Sequence, residues 1–568
     1  MDYKDRLNEW LESPAIDEET KNELRAITDE KELEDRFYRD LEFGTAGLRG
    51  IIGAGTNRMN KYVIMKTTKG VSDYINSKNV ENPSVAISYD SRRFSKEFAE
   101  TAALVFAANG IKAYVSDELR PTPVLSFMIR YFKCISGVML TASHNPAIYN
   151  GYKLYWDDGC QIKAPIDEEV MAKVAEGGSY DVEIMDKDEA IEKGLFVYVG
   201  KEIDDEYISR IKGERVNPEI SDRLGKDISI VYTPLNGCGN KLVRRVLAET
   251  GFSNVTVVPE QEMPDGNFPT IPKPNPEYPE VYELGIKLAR EKGADVVIAT
   301  DPDSDRFGMM VRNDKDEYVR FTGNMIGSML TEYVLSSLKE RGELTGNERV
   351  IKSIVTTNLI DSICSSYGVK LSATLTGFKH IGSEVSRCED PAYGKFVFGF
   401  EESYGYMKGM HCRDKDGVVI SMLVAELMAV CKDKGTTVFE YMENIYNKYG
   451  IFEQNTVSQR FEGIEGVATM KKIMEDARSI QRDEIAGIKV VEFADYDSGI
   501  IKNQVDGSER PTNLPKSNVL KYFLEDGGFV AMRPSGTEPL IKYYIDAKGN
   551  TKEEAKNKLE NLQKVFIK

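Results

Sequence analysis

Histidine is almost missing from this chain: three residues in 568, His144, His380 and His411. No pair of them has zinc-finger or H-E-x-x-H spacing, so a zinc site built on histidine is not expected. The seven cysteines, at 134, 160, 238, 364, 388, 412 and 431, never form C-x-x-C. Odd in number and widely spaced, they fit reduced thiols in a cytoplasmic protein rather than a disulfide framework. No run of about 18 apolar residues is present to span a bilayer. The opening Met1-Asp2-Tyr3-Lys4-Asp5-Arg6 is too polar for a secretory signal. Positive charge is also short: 74 Lys and Arg against 92 Asp and Glu give a formal net charge of -18. That argues against nucleic acid and anionic membranes as bulk partners. It also means that any site for an anion must be built from local cations, backbone N–H groups or a metal.

What is present is size and a repeating pattern. At about 150 residues per domain the length suggests three to five domains, and 41% hydrophobic residues suffice for several cores. One unit keeps returning: a β-rich run, a polar loop, then a helical stretch. Val85–Tyr89 leads to Asp90-Ser91-Arg92-Arg93, Gly137–Leu140 to Thr141-Ala142-Ser143-His144-Asn145-Pro146, and 228–232 to Thr233–Gly239. Val296–Ala299 leads to Asp301-Pro302-Asp303-Ser304-Asp305-Arg306, and Phe396–Phe398 to Gly399–Ser403. Alternation of this kind predicts α/β layers with mostly parallel sheets, whose ligands gather beyond the carboxyl ends of the strands. Softer seams fall at 176–226, 259–280, 313–320 and 446–460. The second holds seven prolines and reads as a surface loop. Ala555, Leu559, Leu562 and Val565 predict an amphipathic closing helix over 552–568.

Two loops carry the sharpest chemistry. The carboxylates of Asp301, Asp303 and Asp305 alternate, so an extended loop would turn all three to one side, where oxygen-only ligands suit Mg²⁺ or another hard divalent cation. A calcium EF-hand fails, because its sixth position is Arg306 where glycine is required and its twelfth is Arg312 where glutamate is required. An acidic surface turn is the plain alternative. Arg306 offers a guanidinium fork to a phosphate held there. Ser143 does not sit in G-x-S-x-G, and His144 as its immediate neighbour is poor geometry for a serine–base pair. A phosphorylated Ser143 whose charge is offset by the aspartate-bound cation makes better sense, with a turn-capping serine as the alternative. Lys153, ten residues on, could serve as general acid or base if its pKa falls.

Other loops complete a set. Arg533-Pro534-Ser535-Gly536-Thr537-Glu538-Pro539 is a compact anion cradle, or else a β-turn. Glu401 and Ser403, within Gly399–Gly405, suit sugar hydroxyls. Thr376-Gly377-Phe378-Lys379-His380 adds a Lys and a His between glycines, and Phe43–Gly50 presents Arg49 in a glycine-rich setting.

In this order the loops resemble those of the α-D-phosphohexomutase family: TASHNP, D-x-D-x-D-R, G-x-E-E-S and R-P-S-G-T, spread from Phe43 to Pro539. GTAGLRG, GFKHIG and GFEESYGY are most similar to the phosphoglucomutase branch, which also contains phosphopentomutases. The resemblance implies three related α/β domains and a smaller α+β C-terminal domain around a central cleft, expected here as 1–212, 213–318, 319–455 and 456–568. It implies a phosphoserine at Ser143 and one Mg²⁺ held by Ser143, Asp301, Asp303 and Asp305. Arg49, Lys153 and Arg306 would surround the transferring phosphoryl group, with His144 a further catalytic residue. Thr376, Gly377, Lys379, His380, Glu401 and Ser403 would contact the sugar, and Arg533, Ser535, Gly536 and Thr537 the non-reacting phosphate. In one departure, Tyr404-Gly405-Tyr406 stands where mannose/glucose enzymes of dual specificity place a histidine. This makes dual specificity less expected and leaves Lys153, His144 and Lys379 all open as the general base.

The implied reaction interconverts α-D-glucose 1-phosphate and glucose 6-phosphate through glucose 1,6-bisphosphate, which acts as intermediate and activator. The enzyme would be a cytoplasmic monomer or weak dimer whose partners are small sugar phosphates. A phosphopentomutase, a phosphomannomutase or a sugar bisphosphate synthase would use the same loops. A non-catalytic sugar-phosphate-binding protein would need neither Ser143 nor all three aspartates.

Overall fold

A computed structural model describes residues 2–42, 47–177, 180–461, 463–480, 482–535 and 540–567. The chain packs as two compact units, Met1–Phe321 with Gly405–Asp433, and Thr322–Tyr404 with Lys434–Lys568.

Among the described residues the first unit holds two sheets. One joins β1 (Leu48–Ile51), β2 (Ser84–Tyr89), β3 (Lys112–Ser116), β4 (Ser136–Leu140), β5 (Tyr149–Trp156) and β6 (Phe196–Val199) in the order β1-β5-β4-β2-β3-β6. The other joins β7 (Ile230–Thr233), β8 (Val255–Val257), β9 (Val296–Thr300), β10 (Phe307–Arg312) and β11 (Tyr318–Phe321) in the order β11-β10-β9-β7-β8. β4 and β9 are buried along their whole length, which is why they read as unbroken apolar runs: parallel strands are covered on both faces. In each sheet the first strand of a parallel trio lies in the middle, β3-β2-β4 and β8-β7-β9. In each sheet the connections leaving the paired strands therefore run to opposite sides, β2 to β3 against β4 to β5 and β7 to β8 against β9 to β10, and a crevice opens beyond the carboxyl ends of β2 with β4 and of β7 with β9. The loop after β4 carries Ser143, and the loop after β9 carries the aspartates.

The second unit repeats the arrangement once more. β12 (Glu348–Ser353) lies between β13 (Lys370–Thr374) and β14 (Lys395–Glu401), all parallel, so the crevice falls between the loops after β12 and after β14, where Glu401 to Ser403 lie. Its other sheet is antiparallel: Ile451–Arg460 beside Leu540–Gly549, then Phe529–Pro534, Leu520–Leu524 and Ile488–Asp495. The closing helix spans Lys552–Phe566, burying Ala555 and Leu562, with Leu559 and Val565 packed on the same core.

Two expectations are corrected. The proline-rich stretch is not simply a surface loop, since Phe268 and Asn275 within it are buried and Phe268 lies under the Arg92 guanidinium, 4.9 Å from its ring centre. The aspartate loop is not extended either. Ser304 N–H donates to the Asp301 carbonyl at 2.8 Å and Ser304 adopts φ 53°, so a tight turn, rather than alternation, brings the carboxylates together.

Candidate active site

The serine loop is held in a conformation that most residues avoid. Ser143 has φ 52°, a left-handed geometry that is uncommon without glycine and is sustained only by its surroundings. Those surroundings are polar and buried. Ser143 N–H donates to Thr141 Oγ1 at 2.7 Å, and Thr141 donates to Asp90 Oδ2 at 2.5 Å. The Ser143 carbonyl accepts from Arg92 at 2.6 Å. The hydroxyl is thereby aimed at the second sheet's loop, and Ser143 Oγ donates to Asp301 Oδ2 at 2.6 Å across 158 residues of sequence. The same turn brings His144 Nδ1 to 3.0 Å from Ser143 Oγ. This corrects the expectation that adjacency in sequence makes poor Ser–His geometry: a left-handed Ser143 folds the next ring back to its own oxygen.

Asp301, Asp303 and Asp305 are buried, with ligand atoms within 4.8 Å of one another. Close packing fixes their turn. A methyl group at Gly239 would lie 2.6 Å from Ser304 Oγ, and one at Gly417 2.8 Å from the Ser304 carbonyl. Arg306 N–H donates to Asp301 Oδ1 at 2.9 Å. Lys153 Nζ lies 2.7 Å from Asp303 Oδ2 and 3.1 Å from Asp305 Oδ2, and Lys415 Nζ lies 3.1 Å from Asp305 Oδ2. Thr122 Oγ1 donates to Asp303 Oδ2 at 3.0 Å. Arg49 Nη1 donates to Asn145 Oδ1 at 3.2 Å.

The electrostatics point to a further cation. Burial and the two neighbouring carboxylates push Asp301 well above the ordinary range. Burial pushes Asp305 up as well, but Lys153, Lys415 and Arg306 outweigh it and hold this carboxyl far below its usual value. Burial works against the Lys153 ammonium, yet Asp303 and Asp305 hold it above the ordinary lysine value, so the condition set for general acid or base work, a lowered pKa, is not met. Burial and the cations Arg306, Arg49 and Arg92 keep His144 well below the usual imidazole value, against a smaller pull from Asp305. Asp303 Oδ1 and Asp305 Oδ1 are buried with no hydrogen-bond partner among the described residues. A buried carboxylate oxygen left bare is costly unless a cation completes it. Three carboxylates and a hydroxyl are the donor set of a hard divalent ion, and the triad fits one.

Thr376, Gly377, Lys379, His380, Glu401, Ser403, Arg533 and Ser535 all lie in the second unit. Glu401 ends β14 and is buried. Its neighbour Glu402 accepts from Ser353 Oγ at 2.9 Å and Thr356 Oγ1 at 3.2 Å. The Tyr544 phenol is pushed up by burial, then by Glu402, while Arg533 opposes the rise and Glu401 adds to it. Tyr544 thus lies within electrostatic reach of both the loop after β14 and Arg533. Thr376 and Gly377 precede the helix Phe378–Arg387, with Gly377 at φ 107°. Ser535 N–H donates to the Leu540 carbonyl at 2.8 Å. Gly536 and Thr537 lie outside the described residues, as do 43–46 of the loop preceding Arg49.

Sequence reasoning missed Asp90, Arg92, Thr122, Thr141 and Lys415. The Asp90–Arg93 loop was visible as the sequel to β2, and its place opposite the β4 loop was the usable signal. Lys415 lies just ahead of the apolar helix Gly417–Asp433 and shows no pattern of its own.

Comparison with known proteins closes the reading of the fold. Phosphoglucomutase/phosphomannomutase alpha/beta/alpha domains I, II and III match residues 40–181, 205–315 and 322–449, and the C-terminal domain matches 466–563. A phosphoglucomutase of Staphylococcus haemolyticus is 36% identical over 517 residues, 90% of this chain and 91% of that protein. One from Staphylococcus saprophyticus is 34% identical over 537 residues, 94% and 95% of the two chains. The open form of the Paramecium phosphoglucomutase parafusin, an exocytosis-sensitive phosphoprotein, superposes with TM-score 0.70 at 17% identity, covering 93% of this chain and 95% of that one. The chain belongs to the phosphoglucomutase/phosphomannomutase family and has its four-domain α/β architecture. No described helix is long and apolar enough to cross a membrane.

Proposed function

We propose that the chain interconverts α-D-glucose 1-phosphate and glucose 6-phosphate, as a cytoplasmic monomer or weak dimer. The supporting observation is the meeting of Ser143 Oγ with Asp301 at 2.6 Å, beside carboxylate oxygens that await a cation, in a chain whose relatives are named phosphoglucomutases. In this reading Ser143 is phosphorylated at rest. Its phosphoryl group passes to the free hydroxyl of the sugar phosphate: the P–Oγ bond breaks as the P–O(sugar) bond forms, and the hydroxyl proton leaves to a base. Glucose 1,6-bisphosphate results and reorients, its other phosphoryl group returns to Ser143, and the isomer departs. Mg²⁺ held by Ser143, Asp301, Asp303 and Asp305 would neutralise charge on the transferring group. Arg49, Arg306 and Lys153 balance the remaining phosphate charge. His144, kept neutral by burial and cations and 3.0 Å from Ser143 Oγ, is the first candidate to receive the proton and Lys379 the second, whereas Lys153, held as an ammonium by Asp303 and Asp305, is not free to do so.

Glu401 and Ser403 read the sugar hydroxyls, with Thr376, Gly377, Lys379 and His380 beside them in role. Arg533, Ser535, Gly536 and Thr537 hold the phosphate that does not react. The working domain boundaries are 1–212, 213–318, 319–455 and 456–568. The test is kcat/KM for glucose, mannose and ribose 1-phosphates in parallel, with intact mass before and after glucose 1,6-bisphosphate. Preference for glucose and a phosphate-sized mass shift lost in Ser143→Ala are expected. Preference for ribose or mannose would move the assignment to a phosphopentomutase or phosphomannomutase. No shift at Ser143 would overturn it.

A further inference from the structure

The loop that presents Ser143 is tied down by one buried side chain from the loop after β2. Arg92 is 3% exposed. Its guanidinium donates to the carbonyls of Ser143 at 2.6 Å, Pro146 at 2.9 Å and Tyr149 at 3.0 Å, and to that of Asn145. Asp90 balances the charge, with Arg92 Nε 3.4 Å from Asp90 Oδ2, and the Phe268 ring covers the guanidinium face. Asp90 is itself fixed, accepting from Arg92 N–H at 2.9 Å, Ser95 Oγ at 2.9 Å and Thr141 Oγ1 at 2.5 Å. Four carbonyls of one loop thus converge on a single planar cation. Only a planar fork with several donors satisfies so many acceptors at fixed angles; an ammonium on a flexible stem does not. The carbonyl of Ser143 is the telling one. With φ at 52°, that carbonyl and the hydroxyl are committed to different partners, Arg92 and Asp301, and letting go of the first frees the residue to return to an ordinary backbone angle.

We propose that Arg92 is a positioning residue for the phosphoryl-transfer step: it touches neither sugar nor metal, but holds Ser143 in the left-handed conformation that delivers its oxygen to the aspartate loop. This rests on the mutase reading above. Losing the clasp misplaces the reacting oxygen without removing any group that binds substrate. Misplacement by about 1 Å costs on the order of 100-fold in rate, so the loss falls on kcat and leaves KM nearly alone.

The experiment compares wild type with Arg92→Lys and, should the loss of planar charge unfold nothing, Arg92→Gln. Each is assayed for kcat and KM with glucose 1-phosphate and for amide hydrogen exchange across 141–149. The expected result is faster exchange confined to 141–149, kcat lower by about 100-fold, and KM within about three-fold of wild type, with partial recovery of Arg92→Gln by added guanidinium ion. Unchanged exchange at 141–149 in Arg92→Lys overturns the clasp. Faster exchange with unchanged kcat overturns its part in catalysis, as does a loss that falls on KM. An inactive wild type would count against the mutase reading instead, and the exchange comparison would still decide whether Arg92 holds the loop.

Discussion

Two buried clusters in the first unit offer metal-ligand atoms within 4.8 Å of one another: Asp301, Asp303 and Asp305 on one hand, His411, Cys412 and Asp416 on the other. They resolve their charge in opposite ways. In the second, both oxygens of Asp416 are already taken. Oδ1 accepts from Tyr207 Oη at 2.8 Å and from the N–H groups of Val418 at 2.9 Å and Val419 at 3.1 Å, and Oδ2 faces His411 Nε2 at 2.7 Å. This carboxylate caps the helix Gly417–Asp433 and pairs with an imidazole. In the first cluster, Asp303 Oδ1 and Asp305 Oδ1 face no donor among the described residues. Burial and donor type do not separate a metal centre from a structural ion pair; carboxylate oxygens left without donors do, since in the second cluster the buried atom without a hydrogen-bond partner among the described residues is His411 Nδ1 and not an oxygen of Asp416. One cluster finishes a helix, and the other keeps two buried carboxylate oxygens without a donor among the described residues.

That contrast can be broken in several places. The largest effect is expected at Ser143: Ser143→Ala should lower turnover by about four orders of magnitude or more, as loss of a covalent carrier does, whereas Cys412→Ser in the second cluster should stay within about two-fold in the same assay. Next, Asp303→Asn should weaken Mg²⁺ or Mn²⁺ binding by at least about 100-fold by titration calorimetry, since even outer-shell changes reach that range. Asp416→Ala should leave metal affinity unchanged and instead cost about 3–5 kcal/mol in denaturant unfolding, the usual consequence of removing half a buried pair. Metal affinity that falls with Asp416→Ala would erase the distinction. The smallest effect is a pH dependence. Burial alone would push His411 down, but Cys412 and Asp416 outweigh it and hold the imidazole up at about 10. A folded pKa above the unfolded one stabilises fully below about pH 6.5, and that contribution drains away as pH rises toward 10. Wild type should therefore lose more unfolding free energy between pH 7 and pH 10 than His411→Gln does; parallel slopes would contradict the pairing.

The sequence shows these regions unequally. β4 and β9 were legible because strands covered on both faces must be apolar end to end, and a polar turn after such a run is hard to mistake. The convergence of Ser143 with Asp301 was not legible from spacing; it rested on the chemistry of the two loops and on resemblance to a family, and is now visible as two switch-point loops facing one another. The left-handed Ser143 hid the Ser143–His144 contact, since nothing in a serine announces a positive φ. Arg92 was hidden for a different reason: its acceptors are backbone carbonyls, which leave no residue signature. Phe268 looked like loop because prolines surround it, although it covers the Arg92 guanidinium. The fold's periodic parts could be read, while the backbone-mediated parts of the site could not.

The central claim is that Ser143 and the aspartate loop share one divalent ion, and ³¹P electron–nuclear double resonance on the phosphorylated, Mn²⁺-loaded protein tests it most directly. A strong ³¹P hyperfine coupling, absent from Ser143→Ala, is the predicted result. Bound Mn²⁺ with Ser143 phosphorylated and no ³¹P coupling would contradict it.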